Sequence, residues 1–312
     1  MSAASAARAQ SETAVGPLWL GYSLALAIMC LWTGWIIVSR HGVQQTLTLY
    51  DITALRWGVG GLLVLPFVLR WGLAGLKWSR AALLIIFFGP PYALVIYTAF
   101  LYAPAAHAGV LVNGLLPFIT LVLGAILLGE RATRSRLFGV ALVLVGSLFM
   151  AGDGLLLAPP GTWIGDLLFV VTAVMLASYM VAARVWGVTQ RQALASVLAG
   201  GMLAYLPLFL LLPLPSTLKS LPVEAWPWAE VLLQGGYQGI LVSIGGVMGF
   251  TLATRILGAP TMAAFMAAVP AVTLLVAWPL LGEVPSVLAI AGVVVVTGGI
   301  LFASGLLPRR RG

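Results

Sequence analysis

A proline inside a helix removes the hydrogen bond to the carbonyl four residues earlier. Within lipid, that freed carbonyl is costly unless it faces protein or water. Pro117 frees the carbonyl of Asn113 and Pro270 frees that of Met266, and the two prolines stand 153 residues apart in stretches that match each other. Matched helix breaks in two halves of a chain point to a small-molecule site near the membrane midplane. Two kinks inherited by duplication would look the same. A further break, Pro90-Pro91, is followed by Tyr92, Tyr97 and Tyr102.

Around these breaks the apolar runs carry a few polar and aromatic side chains. Asn113 and Gln238 each bring a bare amide into hydrocarbon, which needs either an interhelical partner or a cavity. Trp32, Trp35, Tyr97, Tyr179, Tyr237 and Trp278 fall inside apolar runs, away from the interfacial belts where Trp and Tyr usually sit. Each alone reads as packing; together with the amides they describe a largely apolar cavity with a few polar groups, as small-molecule sites usually have. Arg56 lies within an apolar run. The simpler expectation is that it snorkels to the nearer surface beside Asp51; the alternative is contact with a substrate carboxylate. His107 reads as interfacial, and Cys30 as a small core hydrophobe with no partner for a disulfide or metal. The eight acids fall in tails, loops or helix ends, and none sits at mid-membrane, where proton- or sodium-coupled carriers commonly keep one. Downhill, facilitated transport is therefore the expectation. No cofactor and no metal is implied.

These residues must be positioned by helices that cross a bilayer. The 312 residues are 62% apolar and 8% charged, against about 25% charge in soluble domains. Ten apolar runs near the 20 residues a crossing requires are read at Leu18–Val38, Ile52–Leu69, Ala81–Tyr102, Ala105–Leu128, Leu137–Met150, Trp163–Ala183, Ala193–Leu212, Val231–Leu252, Thr261–Leu281 and Ser286–Gly305. The fifth is short and extends toward Leu157. Residues 1–17 read as a disordered tail and 306–312 as a basic one. With both termini in the cytoplasm, 13 of the 16 Lys and Arg residues fall on the inner side and only Arg40 and Lys219 outside, a strong positive-inside bias. The net charge of +8 is scattered between apolar runs, so lipid is the expected neighbour and nucleic acid is not.

The chain repeats itself. From Pro117, a shift of 153 aligns Leu128-Gly129-Glu130 with Leu281-Gly282-Glu283, Gly139 with Gly292 and Gly146 with Gly299. A shift of 144 aligns Trp19, Gly21 and Arg40 with Trp163, Gly165 and Arg184. Five crossings per copy is an odd number, so the second copy enters the membrane from the opposite side. The turn after the fourth run carries Arg131, Arg134 and Arg136; its counterpart after the ninth has no basic residue. The expected fold is an all-α integral membrane protein, with repeats at 18–152 and 163–305 in inverted topology around a central cavity.

Two five-helix halves, each closing with Pro, then Leu-Gly-Glu, then a glycine-spaced helix, resemble the EamA family of the drug/metabolite transporter superfamily. Trp32-Thr33-Gly34 resembles that family's tryptophan-glycine start with Thr inserted, and Arg56 falls where the family often has an arginine. Within it, the aromatic interior resembles the YddG-type exporters of aromatic and other neutral amino acids. The resemblance implies a ten-helix basket, with Trp32, Tyr97, Asn113, Tyr179, Tyr237, Gln238 and Trp278 as substrate contacts. Read from the residues themselves, Arg56 is a possible carboxylate contact and Pro90, Pro91, Pro117 and Pro270 are the expected hinges. The expected function is export of small amino acids by alternating access across a bacterial inner membrane, with a monomer sufficient. Export of drugs or other small metabolites is the neighbouring alternative. An intramembrane enzyme would need clustered acids for Mg²⁺ or a nucleophile beside a base, and the scattered acids with only His41 and His107 speak against one.

Overall fold

The structure, a computed structural model, describes residues 16–129 and 133–303. The expected tails, apart from Gly16 and Pro17, and the Glu130-Arg131 turn lie outside the described residues. Ten apolar helical stretches follow one another: α1 Leu18–Val43, α2 Leu49–Trp71, α3 Trp78–Tyr102, α4 Ala105–Leu128, α5 Arg134–Leu156, α6 Thr162–Val185, α7 Gln190–Leu211, α8 Trp228–Leu257, α9 (Ala259–Ala267 with Val269–Leu281) and α10 Val287–Ala303. Nine are long and apolar enough to cross a bilayer, and the tenth is a shorter apolar helix. No strand occurs among the described residues.

Local chemistry explains the ends and breaks. Thr48 caps α2 in a capping box with Asp51. α3 is interrupted at Gly89, where Pro90 cannot continue the hydrogen-bond ladder. α4 and α9 restart at Leu116 and Val269, with Pro117 and Pro270 in the first turn of each new segment. The same two segments end on Gly129 and Gly282 at φ 66° and 69°, left-handed values that glycine adopts at no steric cost. Wide-turn π segments replace α turns at Gly109–Gly114, Leu194–Gly200 and Leu233–Gly246. The fifth crossing, read short from its sequence, runs a full 23 residues to Leu156.

Glycine sets the closest packing. A Cβ on Gly146 would lie 2.8 Å from the carbonyl oxygen of Gly292, and one on Gly299 2.7 Å from that of Gly139. The pairs are reciprocal: 139 faces 299 and 146 faces 292, so α5 and α10 cross antiparallel with their backbones in contact. Elsewhere Gly60 of α2 faces the carbonyl oxygen of Gly239 on α8, where a Cβ would sit 2.9 Å away, and this brings α8 against Arg56. Gly299→Val is expected to destabilise the protein by about 1–3 kcal/mol through overpacking, read as a lower melting temperature in detergent; Gly298→Val, where a Cβ meets open space, should leave it unchanged.

The outward faces are covered with large apolar side chains such as Leu69, Trp78, Leu148 and Leu211, more apolar surface than water tolerates on a monomer. Cys30 belongs to this outer surface rather than to the core.

Candidate functional site

The most unusual interior group is Arg56. It stands two turns into α2 and is only 4% exposed. Its guanidinium carbon lies 4.7 Å from the centre of the Trp57 ring and 5.5 Å from that of Trp35. One terminal nitrogen reaches the Tyr97 hydroxyl at 3.5 Å, while Nε is buried with no hydrogen-bond partner. No carboxylate pairs with it among the described residues. The snorkelling expectation is overturned. Asp51, its expected neighbour, is taken up by Thr48, Ser216 and Thr217. Two indole faces contribute about 0.5–2 kcal/mol each to holding a cation, while burying an ion costs several kcal/mol. The cation is held short of full compensation.

Behind Arg56 a chain of polar groups crosses from α3 through α8 to α1. The Tyr97 hydroxyl donates to Oε1 of Gln238, which also accepts from Trp35 Nε1 at 3.2 Å. Gln238 Nε2 donates to Oε1 of Gln234, and Gln234 Nε2 donates to the Val38 carbonyl at 3.0 Å. Tyr97 and Gln238 are fully buried. The glycines of α1 make room for this chain, because a Cβ on Gly42 would strike the Gln234 amide and one on Gly34 the Tyr237 hydroxyl.

In front of Arg56 lies a cavity of about 70 Å³. Its walls are Trp32 of α1, Trp57 of α2, Phe88 of α3 and Tyr179 of α6, with Ala193, Leu194, Val197 and Leu198 of α7 and Val242 and Ser243 of α8. Phe88 and Tyr179 are stacked at 4.7 Å between ring centres. Two of the three π segments, in α7 and α8, contribute to this wall. π turns are frequent at functional sites because they re-aim side chains that a regular helix would misplace.

The expected site residues therefore separate. Trp32, Tyr179 and Arg56 line the cavity, and Tyr97 and Gln238 stand directly behind Arg56. Tyr237 is turned toward α1, donating to the Leu31 carbonyl at 3.0 Å. Asn113 is partly buried in the π segment of α4 and does not line the cavity. Trp278 is 55% exposed on the outer face of α9, whose buried side is Thr273, Leu274 and Ala277. Pro90 and Pro91 begin the second half of α3 just beyond Phe88. Trp57 and Ser243 were not among the expected contacts. The one signal for Trp57 was its adjacency to Arg56; for Ser243 there was none, since its direction depends on the π register.

A second buried polar cluster lies at the start of α4, the end of α5 and the start of α6. His107, 1% exposed, places Nδ1 2.7 Å from Asp166 and Nε2 2.9 Å from Asp153. Ser286 donates to Asp153. His107, in the first turn of α4, is thus buried against these acids rather than facing outward. Nearby, Arg40 pairs with Glu283 at 2.7 Å and also donates to the Phe100 carbonyl, while the second Glu283 oxygen accepts from the Ala105 amide at 2.8 Å. These contacts tie α1, α3 and α4 to the loop after α9. Among the described residues no group of His, Cys, Asp and Glu is arranged to hold a metal ion.

Comparison with known proteins fits this architecture. The EamA-like transporter family matches the chain twice, at residues 19–152 and 163–305. An uncharacterized transporter of Bacillus subtilis (strain 168), YyaM, is 25% identical over 206 residues, a match covering 64% of this chain and 64% of that protein's length. One solved crystal structure superposes with a TM-score of 0.59 at 21% identity, over 94% of this chain and 99% of the other.

Proposed function

The chain belongs to the EamA-like transporter family, and from that premise we propose that it is a facilitative carrier exporting small amino acids, aromatic and other neutral ones, by alternating access. One observation carries the substrate class: an unpaired arginine, Arg56, facing a cavity walled by Trp32, Trp57, Phe88 and Tyr179. The guanidinium offers a carboxylate the planar, bidentate partner it lacks within the protein, and the rings receive an apolar or aromatic side chain. No acid among the described residues lines the cavity, which supports a carrier whose substrate is not exchanged for a proton there.

The mechanism follows from where the closed and open parts lie. The cavity is lined by Tyr179 of α6 and Ala193 of α7, helices whose Arg184 and Arg191 belong to the side that the charge bias assigns to the cytoplasm. The other side is shut by the Arg40–Glu283 pair. Its 70 Å³ is less than an aromatic amino acid needs, so loading requires the walls to part. The reciprocal glycine contacts of α5 and α10 support two halves related by inversion, and the breaks at Gly89, Pro117 and Pro270 supply hinges. Release to the far side requires Arg40 and Glu283 to separate.

Liposomes containing the purified protein test the reading: labelled phenylalanine or tryptophan should show counterflow against unlabelled substrate, unchanged when the proton gradient is collapsed. Absence of exchange with both, alongside exchange of other small molecules, would give the role to a carrier of drugs or metabolites. Glu283→Gln weakens the latch by about 1–3 kcal/mol, which shifts the two access states by roughly 5- to 150-fold. A cysteine placed at Ala105, buried beside Glu283 in the closed latch, should then react faster with a membrane-impermeant maleimide than it does in the unaltered latch.

A further inference from the structure

We infer that the cavity reads the carboxylate of its ligand and leaves the amino group unread, so that aromatic monocarboxylates without an α-amino group are bound at least as well as the corresponding amino acids. The inference rests on the cavity being the substrate site and goes on to its chemical selectivity.

The argument is a matter of which hydrogen-bonding capacity remains. On the donor side, Arg56 has five N–H groups; one meets the Tyr97 hydroxyl at 3.5 Å, and Nε meets nothing. On the acceptor side nearly everything is taken. Gln238 Oε1 accepts from both Trp35 and Tyr97. Gln234 Oε1 accepts from Gln238, and the Val38 carbonyl accepts from Gln234. Trp57 Nε1 occupies the Val197 carbonyl at 3.1 Å, and Ser243 directs its proton to the Gln238 carbonyl at 2.7 Å. The chain is polarised: each amide oxygen faces inward to a donor, and the donor-rich end, Arg56, faces the cavity.

An ammonium group entering this space would find no carboxylate on the lining. Among the described side chains of the lining it would have the lone pairs of the Ser243 and Tyr179 hydroxyls and the faces of aromatic rings. Charge balance points the same way. The cavity lining carries one positive charge and no negative one among its residues. A monoanion neutralises it; a zwitterion brings a second unpaired cation into a region of low dielectric.

Three ligands with one ring and chain length isolate the question: 3-phenylpropionate has the acid alone, phenylalanine both groups, and phenethylamine the amine alone. Binding to the purified full-length protein in detergent is measured by calorimetry, because the neutral form of a weak acid crosses liposome membranes unaided. The expected order places 3-phenylpropionate equal to phenylalanine or up to about tenfold tighter, with phenethylamine not bound. Binding of 3-phenylpropionate should vanish in Arg56→Gln protein whose melting temperature shows it folded. If phenylalanine binds and 3-phenylpropionate is measurably weaker, or phenethylamine binds as well as either, the inference is wrong while an amino-acid carrier survives. If 3-phenylpropionate binds and phenylalanine does not, the inference holds and the amino-acid reading falls. If none of the three binds, both fall.

Discussion

Arg56→Met is expected to abolish substrate exchange and at the same time to raise the melting temperature of the protein. Losing one partner of a buried charged contact costs about 2–5 kcal/mol in binding, and each 1.4 kcal/mol is a tenfold change in affinity, so counterflow falls below detection at substrate concentrations that saturate the unaltered protein. The stability change has the opposite sign for the same reason. Arg56 is buried at 4% exposure with Nε unpartnered, and replacing buried ionic groups with apolar ones of similar volume commonly stabilises by about 1–4 kcal/mol. Methionine keeps the unbranched stem between Trp35 and Trp57 and removes the charge. Arg56→Lys keeps the charge without the planar fork, so binding should weaken yet persist. A drop in melting temperature for Arg56→Met would make the arginine a structural member of the core and remove it from the substrate site. The two readouts together separate a residue kept for function from one kept for folding.

The parts of this site that local chemistry decides were legible in the sequence. Proline cannot continue a helix, and the breaks at Gly89, Leu115 and Ala268 follow from Pro90, Pro117 and Pro270. The Leu-Gly-Glu turns likewise required glycines, and Gly129 and Gly282 close α4 and α9 with left-handed backbone. What depends on helix rotation was not legible. Arg56 and Asp51 are close enough in sequence to suggest a pair, but the capping box turns Asp51 to Thr48 and the α7–α8 connection, and the rotation of α2 carries Arg56 inward. Trp278 looked like a cavity residue because it is aromatic and within an apolar run; one residue beyond Ala277 on a helix it points to the outside. π turns compound the difficulty, since each shifts the register of everything after it, and Ser243 could not be assigned a direction without them. His107, Asp153 and Asp166 lie 46 and 59 residues apart, and no spacing rule links residues on three separate helices.

That cluster supports the second large prediction, one about folding with transport left intact. The imidazole stands between two carboxylates that are 5% and 6% exposed, and both nitrogens are within hydrogen-bond distance of an oxygen. Deleting it in His107→Ala leaves two buried acids facing a void. Asp153 keeps the Ser286 hydroxyl, whereas Asp166 Oδ2 already has no partner. Removing one member of such a group costs about 3–5 kcal/mol, a large share of the stability that most proteins have. Asp166→Asn should cost far less, about 1 kcal/mol or below, because an amide can still meet Nδ1 and one buried charge is gone. The double change His107→Ala with Asp166→Asn should then recover part of the loss, and that coupling distinguishes charge repulsion from a simple cavity. Thermal unfolding of the purified variants measures all three. The cluster is separate from the residues lining the cavity, so exchange per folded molecule should be preserved in Asp166→Asn. If His107 variants instead keep their stability and lose transport, protons held at this cluster are part of the transport cycle and the carrier is not facilitative.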